Sequence, residues 1–134
     1  MEYIFYLTNS CNLKCKYCYE KNKINKVIDF NVIEKLLKER VNSKKKNTTI
    51  SFFGGEPLLN FPLIKKSVDY SKEQAKRFGK EIKFSITTNG TKFNKEVNSY
   101  LNEKNFTVMV SFDGDQETQD KNRPTRGGKG SYAS

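Results

Sequence analysis

The chain has 134 residues, room for one domain that would take about two-thirds of its unfolded surface out of water. Hydrophobic residues make up 35% and aromatics 13%, which excludes a disordered chain. The formal net charge is +10, nearly all of it lysine, and the absence of histidine excludes acid–base chemistry by imidazole.

In chain order, "YIFYL" (Tyr3 to Leu7) is a short apolar and aromatic run and predicts a buried strand. The stretch "SCNLKCKYCYEK" follows and holds all three cysteines, Cys11, Cys15 and Cys18. "DFNVIEKLLKERV" predicts a helix, with Asp29 as N-cap and Val32, Ile33, Leu36, Leu37 and Val41 at helical spacing. "NTTISFF" (Asn47 to Phe53) predicts a second strand, closed by "GGEP". In "NFPLIKKSVDYSKEQAKRFG" a stripe of Ile64, Val68, Ser71, Ala75 and Phe78 predicts a second helix, with Gly79 just past its end. "IKFSITT" (Ile82 to Thr88) is the third strand. Phe93, Val97, Tyr100 and Leu101 mark a third helix, and "FTVMVSF" (Phe106 to Phe112) is the fourth strand. The polar, glycine-rich remainder, "DQETQDKNRPTRGGKGSYAS", predicts a loop. The strands show no clean alternation, as expected where both sheet faces are covered.

Alternating strands and helices predict an α/β fold with right-handed βαβ units and a parallel sheet. Ligand sites in such folds lie at the carboxyl ends of the strands. The cysteine loop, "GGEP", "TTNGT" and "SFDG" each follow a strand, so all four fall on one rim.

The lysines are spread among asparagines, with the densest run at Lys44-Lys45-Lys46. They read as solvated surface, with an acidic or nucleic-acid partner as the alternative; no nucleic-acid partner is expected. No run approaches the roughly 18 apolar residues of a membrane span, so no membrane partner is expected. The N-terminus lacks the features of a signal peptide, and the expected location is cytoplasmic.

In a reducing compartment, three clustered thiols are metal or redox groups before they are disulfides. They can serve an iron–sulfur cluster that keeps one iron open, or a zinc knuckle completed by a carboxylate, or they are unrelated thiols. Gly54 and Gly55 serve either a sharp turn or close approach of the backbone to a ligand, and Glu56 could face a cationic amino group. Ser85, Thr87, Asn89, Ser111 and Asp113 are ordinary turn residues or short polar groups facing a ligand. Arg123 is a candidate carboxylate clamp or a solvated loop arginine.

As a set these residues resemble the radical S-adenosylmethionine (SAM) enzymes. The marks are Cys11-x3-Cys15-x-Tyr17-Cys18, then "GGEPLL", "TTNGT", "SFDG" and "DKNRP…GGKGSY" in family order. The nearest resemblance is to the anaerobic sulfatase-maturating enzymes and maturases of ribosomal peptides. It implies a partial TIM barrel of (β/α) units, with about four of the family's six units present. It implies that Cys11, Cys15 and Cys18 hold a [4Fe-4S] cluster whose open iron takes the amino and carboxylate groups of SAM. Reductive cleavage would give a 5′-deoxyadenosyl radical for hydrogen abstraction from a peptide or protein, with flavodoxin or ferredoxin as reductant. By the same resemblance Gly54, Gly55 and Glu56 meet the SAM amino group and Tyr17 lies beside the adenine. Ser111, Ser85 and Asn89 fall on the ribose and carboxylate side.

Two departures stand out. Gln119 occupies a position where the subgroup often has histidine. The chain also ends where a fifth unit is expected, so residues 1–134 read as the N-terminal portion of the domain. An inactive remnant is therefore the alternative reading, with self-association through the exposed fourth strand; a ferredoxin-like electron carrier is a weaker one.

Overall fold

The computed structural model describes residues 2–21, 24–41 and 46–134. The order is β1 (Glu2–Tyr6), α1 (Phe30–Val41), β2 (Asn47–Phe53), a 3₁₀ turn (Pro57–Asn60), α2 (Phe61–Arg77), β3 (Glu81–Thr88), α3 (Lys95–Glu103), β4 (Thr107–Val110) and α4 (Gln116–Asn122). The four strands form one parallel sheet in the order β1-β2-β3-β4. The predicted α/β architecture is therefore the observed one.

Each helix sits where its apolar stripe and its caps place it. Asp29 caps α1 by accepting from the Asn31 amide at 2.8 Å, and α1 buries Ile33 and Leu37, one turn apart. α2 buries Ile64, Val68, Ser71 and Ala75, and ends at Gly79 with φ of 62°. The Ser71 hydroxyl donates to the Ser67 carbonyl at 2.6 Å, so this polar residue lies in the core without an unmet bond. Asn94 caps α3 by accepting from the Val97 amide at 2.9 Å, and Val97 and Leu101 face inward. Four expected core positions lie outside the core. Val32, Leu36 and Phe78 are exposed, and Phe93, also exposed, precedes α3. Only the Ile33 and Leu37 line of α1 turns inward. The side chain of Val41 and residues Lys44 and Lys45 lie outside the described set.

One sheet face carries the core: Phe5 and Leu7, Ile50 and Phe52, and Phe84 and Ile86, under Ile33, Leu37, Ile64 and Val68. Phe84 stacks on Phe106 with centroids 5.4 Å apart. The opposite face is not covered, contrary to expectation. Ile4 and Met109 are each 64% exposed there, and β3 alternates in burial along its length. Its middle is polar: the Ser51 hydroxyl bonds the Glu2 carboxylate and stands 2.5 Å from the Ser85 hydroxyl. β4 is exposed throughout and forms one edge of the sheet.

The predicted C-terminal loop is partly a helix. Asp115 accepts from the Thr118 amide at 2.8 Å and starts α4, which is short and polar and so carries no apolar periodicity. Among the described residues no helix is long and apolar enough to cross a membrane.

Candidate functional site

The carboxyl ends of all four strands converge on one cavity of about 160 Å³. Its walls include Cys11, Cys15, Tyr17 and Cys18 after β1, Gly54 and Gly55 after β2, Asn89 after β3, and Ser111 and Arg123 after β4. Ten of the thirteen predicted site residues, Thr87 among them, thus come together. Three do not, of which Asp113 stands just outside the cavity, bonded to Tyr17. Ser85 lies on the open sheet face, hydrogen-bonded to Ser51, one strand repeat below the rim. Glu56 is fully buried behind the cavity wall.

The two glycines are required by backbone packing. A Cβ on Gly55 would stand 2.2 Å from the Ser10 carbonyl oxygen, and one on Gly54 would stand 2.6 Å from that of Thr8. This close approach allows the Gly55 amide to donate to Thr8 O at 2.7 Å and the Glu56 amide to donate to Ser10 O at 2.8 Å. "GGE" is therefore the seam that fastens the cysteine loop to β2, a partner that neither sequence reading of the motif contained.

The Glu56 carboxylate closes the same seam. It accepts from Thr88 Oγ1 at 2.7 Å, the Asn89 amide at 2.8 Å and the Leu58 amide at 3.1 Å. Burial raises its pKa above the ordinary 4.5, and the Asn89, Thr88 and Leu58 donors oppose that rise. It ties the end of β3 to the loop after β2, and none of its bonds reaches into the cavity.

The far side of the cysteine loop is held from the C-terminal segment. Lys14 N donates to Pro124 O at 2.8 Å, Lys16 N to Asn122 O at 2.9 Å and Arg126 N to Asn12 O at 3.2 Å. Leu13, fully buried, anchors the loop between Cys11 and Cys15. Asn89 Nδ2 donates to Asn12 Oδ1 at 3.0 Å and lies 3.7 Å from Cys11 Sγ.

On the β4 side, the Tyr17 hydroxyl donates to Asp113 at 2.7 Å and accepts from Arg123 Nη1 at 2.6 Å. Partial burial, then the Asp113 bond, raises the Tyr17 pKa and keeps the phenol protonated. Arg123 is 8% exposed, and its Nε has no partner among the described residues. A buried guanidinium donor left open beside a cavity calls for an anionic ligand such as a carboxylate. Gln119, the departure noted in the sequence, is accommodated. Its side-chain oxygen accepts from the Asp113 amide at 2.9 Å, and its nitrogen donates to Ser131 at 2.9 Å.

Thr88 was not among the expected residues. Its side chain both braces Glu56 and lines the cavity. The sequence signal was present in "TTNG", where Thr88 is the last strand residue. The donor set fits the expected cofactors. Three thiols line one cavity, yet no trio of Cys, Asp or Glu among the described residues is arranged to hold a single metal ion. Three thiols on one cavity suit an iron–sulfur cluster that keeps one iron open, and Arg123 Nε offers a place for an anionic partner.

The chain matches the Radical SAM superfamily over residues 5–134. It is 40% identical over 126 residues to an uncharacterized protein of Methanocaldococcus jannaschii, covering 94% of this chain and 43% of that one. It is 32% identical over 133 residues to a cysteine-type anaerobic sulfatase-maturating enzyme of Clostridium novyi, covering 93% and 35%. A solved anaerobic sulfatase-maturating enzyme with bound AdoMet and the Cp18Cys peptide superposes with a TM-score of 0.88 at 27% identity, covering 97% of this chain and 36% of that one. The chain thus spans less than half the length of these relatives. A [4Fe-4S] cluster and SAM are the cofactors of the family that these comparisons identify. The converging cysteine loop, the glycine seam and the matched length together place this chain in the radical SAM superfamily.

Proposed function

We propose that this chain is the SAM-binding part of a maturase-like radical enzyme acting on a peptide or protein. The observation that carries the reading is the convergence of Cys11, Cys15, Cys18 and the open Nε of Arg123 on one cavity. The three cysteines would hold the [4Fe-4S] cluster. The bound cluster would supply the electron for reductive cleavage of SAM into methionine and a 5′-deoxyadenosyl radical, the species that would abstract hydrogen from the substrate.

This chain's residues do the holding and orienting. Gly54 and Gly55 line the cavity and, having no Cβ, let that wall pack directly on the backbone that leads into the cysteine loop. Arg123 receives the SAM carboxylate, and Asp113 and Tyr17 keep the guanidinium in place. Asn89, beside Cys11, and Ser111 offer short polar groups to the ribose. The open sheet face below the rim, with Ser85 and Ser51 at its centre, faces the space where a substrate would enter.

Anaerobic reconstitution with iron and sulfide tests the reading. The parent should bind about four irons and form 5′-deoxyadenosine from SAM with a chemical reductant. Cys15→Ala and Cys18→Ala should bind almost none and form none. Cluster binding without SAM cleavage is the second reading, favoured by the exposed edge strand β4. Iron binding without SAM cleavage would establish it.

Arg123→Lys should weaken SAM binding by tenfold or more, since Lys cannot offer the second planar donor, a loss of about 1.4 kcal/mol or above. Tyr17→Phe should weaken it less, because Asp113 still faces Arg123 at 3.7 Å. Equilibrium binding of SAM to the reconstituted protein measures both. Equal affinity in Arg123→Lys and parent would remove Arg123 from the site.

A further inference from the structure

Gln119 is the residue that α4 buries, at 2% exposure, and it carries an amide. An apolar side chain would fill such a place without taking polar atoms out of water. What the two ends of the amide hold explains the polar choice. The side-chain oxygen takes the Asp113 amide, and the side-chain nitrogen donates to Ser131 Oγ. The backbone carbonyl of the same residue accepts from the Arg123 amide at 2.8 Å.

Asp113 and Arg123 are the two halves of one clamp. Asp113 accepts from the Tyr17 hydroxyl and faces Arg123 Nη1 at 3.7 Å, and Arg123 Nη1 donates to Tyr17 at 2.6 Å. One residue thus sets the Asp113 backbone through its side chain and the Arg123 backbone through its main chain. Ser131, itself 4% exposed, holds the amide from behind. The chain returns over α4 to bring it there. Tyr132 N donates to Asp120 Oδ1 at 2.8 Å, and a Cβ on Gly130 would stand 2.2 Å from Asp120 Cγ.

We propose that Gln119 is a positioning residue that fixes how Arg123 presents its open Nε to an anionic group in the cavity. The inference rests on the reading of Arg123 as the receiver of the SAM carboxylate. Gln119 is not part of the cavity wall and acts through Asp113 and Arg123. Its amide uses one acceptor and one donor. A neutral imidazole offers the same pair, whereas a protonated one offers two donors and cannot take the Asp113 amide. The ionisable groups around position 119 are Asp113 and Arg123, with Asp115 and Asp120 on its own segment and the Tyr17 and Tyr132 phenols beyond them.

The test compares the parent, Gln119→Leu and Gln119→His in two arms. The first arm uses the full chain without a cluster and carbon-detected NMR of the guanidinium groups. The Arg123 signals are identified by their loss in Arg123→Lys. The parent should show separate Nη1 and Nη2 signals for Arg123, the mark of a guanidinium that does not rotate, and Gln119→Leu should show them merged. The second arm is equilibrium binding of SAM to reconstituted protein. Gln119→Leu should bind SAM about fivefold more weakly, the worth of one net hydrogen bond, with iron content unchanged. Gln119→His is compared with the parent at the same pH, on either side of the ordinary histidine value of about 6.5. It should bind SAM within twofold of the parent at about pH 8 and about fivefold more weakly at about pH 5.5, once the imidazole is protonated. Its Arg123 signals should follow the same split. A glutamine that only supports the fold would lower the melting temperature of Gln119→Leu but leave its SAM affinity within twofold and its Arg123 signals apart. That result overturns the inference, as does a histidine variant that follows the parent at both pH values. If Gln119→Leu does not fold, the histidine variant decides by itself. A parent that binds no SAM refutes the proposed function, and the guanidinium signals then decide the role of Gln119.

Discussion

Gly55→Ala is expected to detach the cysteine loop from β2 and to be among the most damaging single changes in the chain. The added methyl would lie 2.2 Å from Ser10 O, 2.6 Å from Ser10 C and 2.9 Å from Asn9 O. All three are backbone atoms, so no side chain can rotate away. The Gly55 and Glu56 amides hold that same backbone, so relief of the overlap breaks the two bonds that form the seam. A loss of about 4 kcal/mol is expected, above the usual range of overpacked sites because only backbone stands in the way. At this chain length that lowers the melting temperature by roughly 15 °C. Iron uptake on reconstitution should fall with it, since Cys11 directly follows Ser10. Gly127→Ala is the control. Nothing lies within 4 Å of a Cβ there, and the change should stay within about 0.5 kcal/mol. Equal melting temperatures for the two variants would refute the seam.

Glu56→Ala is the second large effect. The change leaves Thr88 Oγ1 and the amides of Asn89 and Leu58 without their acceptor in a site closed to solvent. Buried donors left unpaired cost about 1–3 kcal/mol each, and partial rearrangement makes about 4 kcal/mol the expected total. Thermal or urea unfolding would measure it. The pH dependence separates burial from hydrogen bonding. With its pKa raised by burial, Glu56 binds a proton more readily in the folded chain than in the unfolded one. Its contribution is then fully present below about pH 4.5 and is lost as pH rises through the folded value. Glu56→Gln does not titrate, so the stability gap between parent and Glu56→Gln should narrow as pH rises. The slope cannot exceed about 1.4 kcal/mol per pH unit. A gap that widens with pH would mean that the three donors outweigh burial.

The parts of the site legible in the sequence are those set by local pattern. Apolar runs ending in cysteine, glycine or Asn-Gly placed four loops on one rim, because parallel strands joined by helices must all point the same way. The cavity walls confirm that placement for Cys11, Cys15, Cys18, Tyr17, Asn89, Ser111 and Arg123. Ser85 was misplaced by proximity. It shares strand parity with Thr87, which does line the cavity, but lies one repeat of about 6.6 Å further down the strand.

What the residues could not announce was contact between distant segments. The clamp of Pro124 and Asn122 on Lys14 and Lys16 joins positions more than a hundred residues apart through main-chain atoms, which carry no residue signature. The same holds for Glu56, whose three partners lie on its own turn and at the end of β3. α4 escaped because a short polar helix is held by Asp115 and by the Gln119 bonds to Asp113 and Ser131, not by an apolar stripe.

The sequence by itself determined the alternation of strands and helices, the rim and the three thiols, since these follow from periodicity and spacing along the chain. Only the tertiary structure decided that "GGE" is a seam, that the Glu56 carboxylate braces the end of β3 against that seam, and that the cysteine loop is a wall with a basic outer side. Those are facts of close approach between backbones and of burial, and both exist only once the chain has folded.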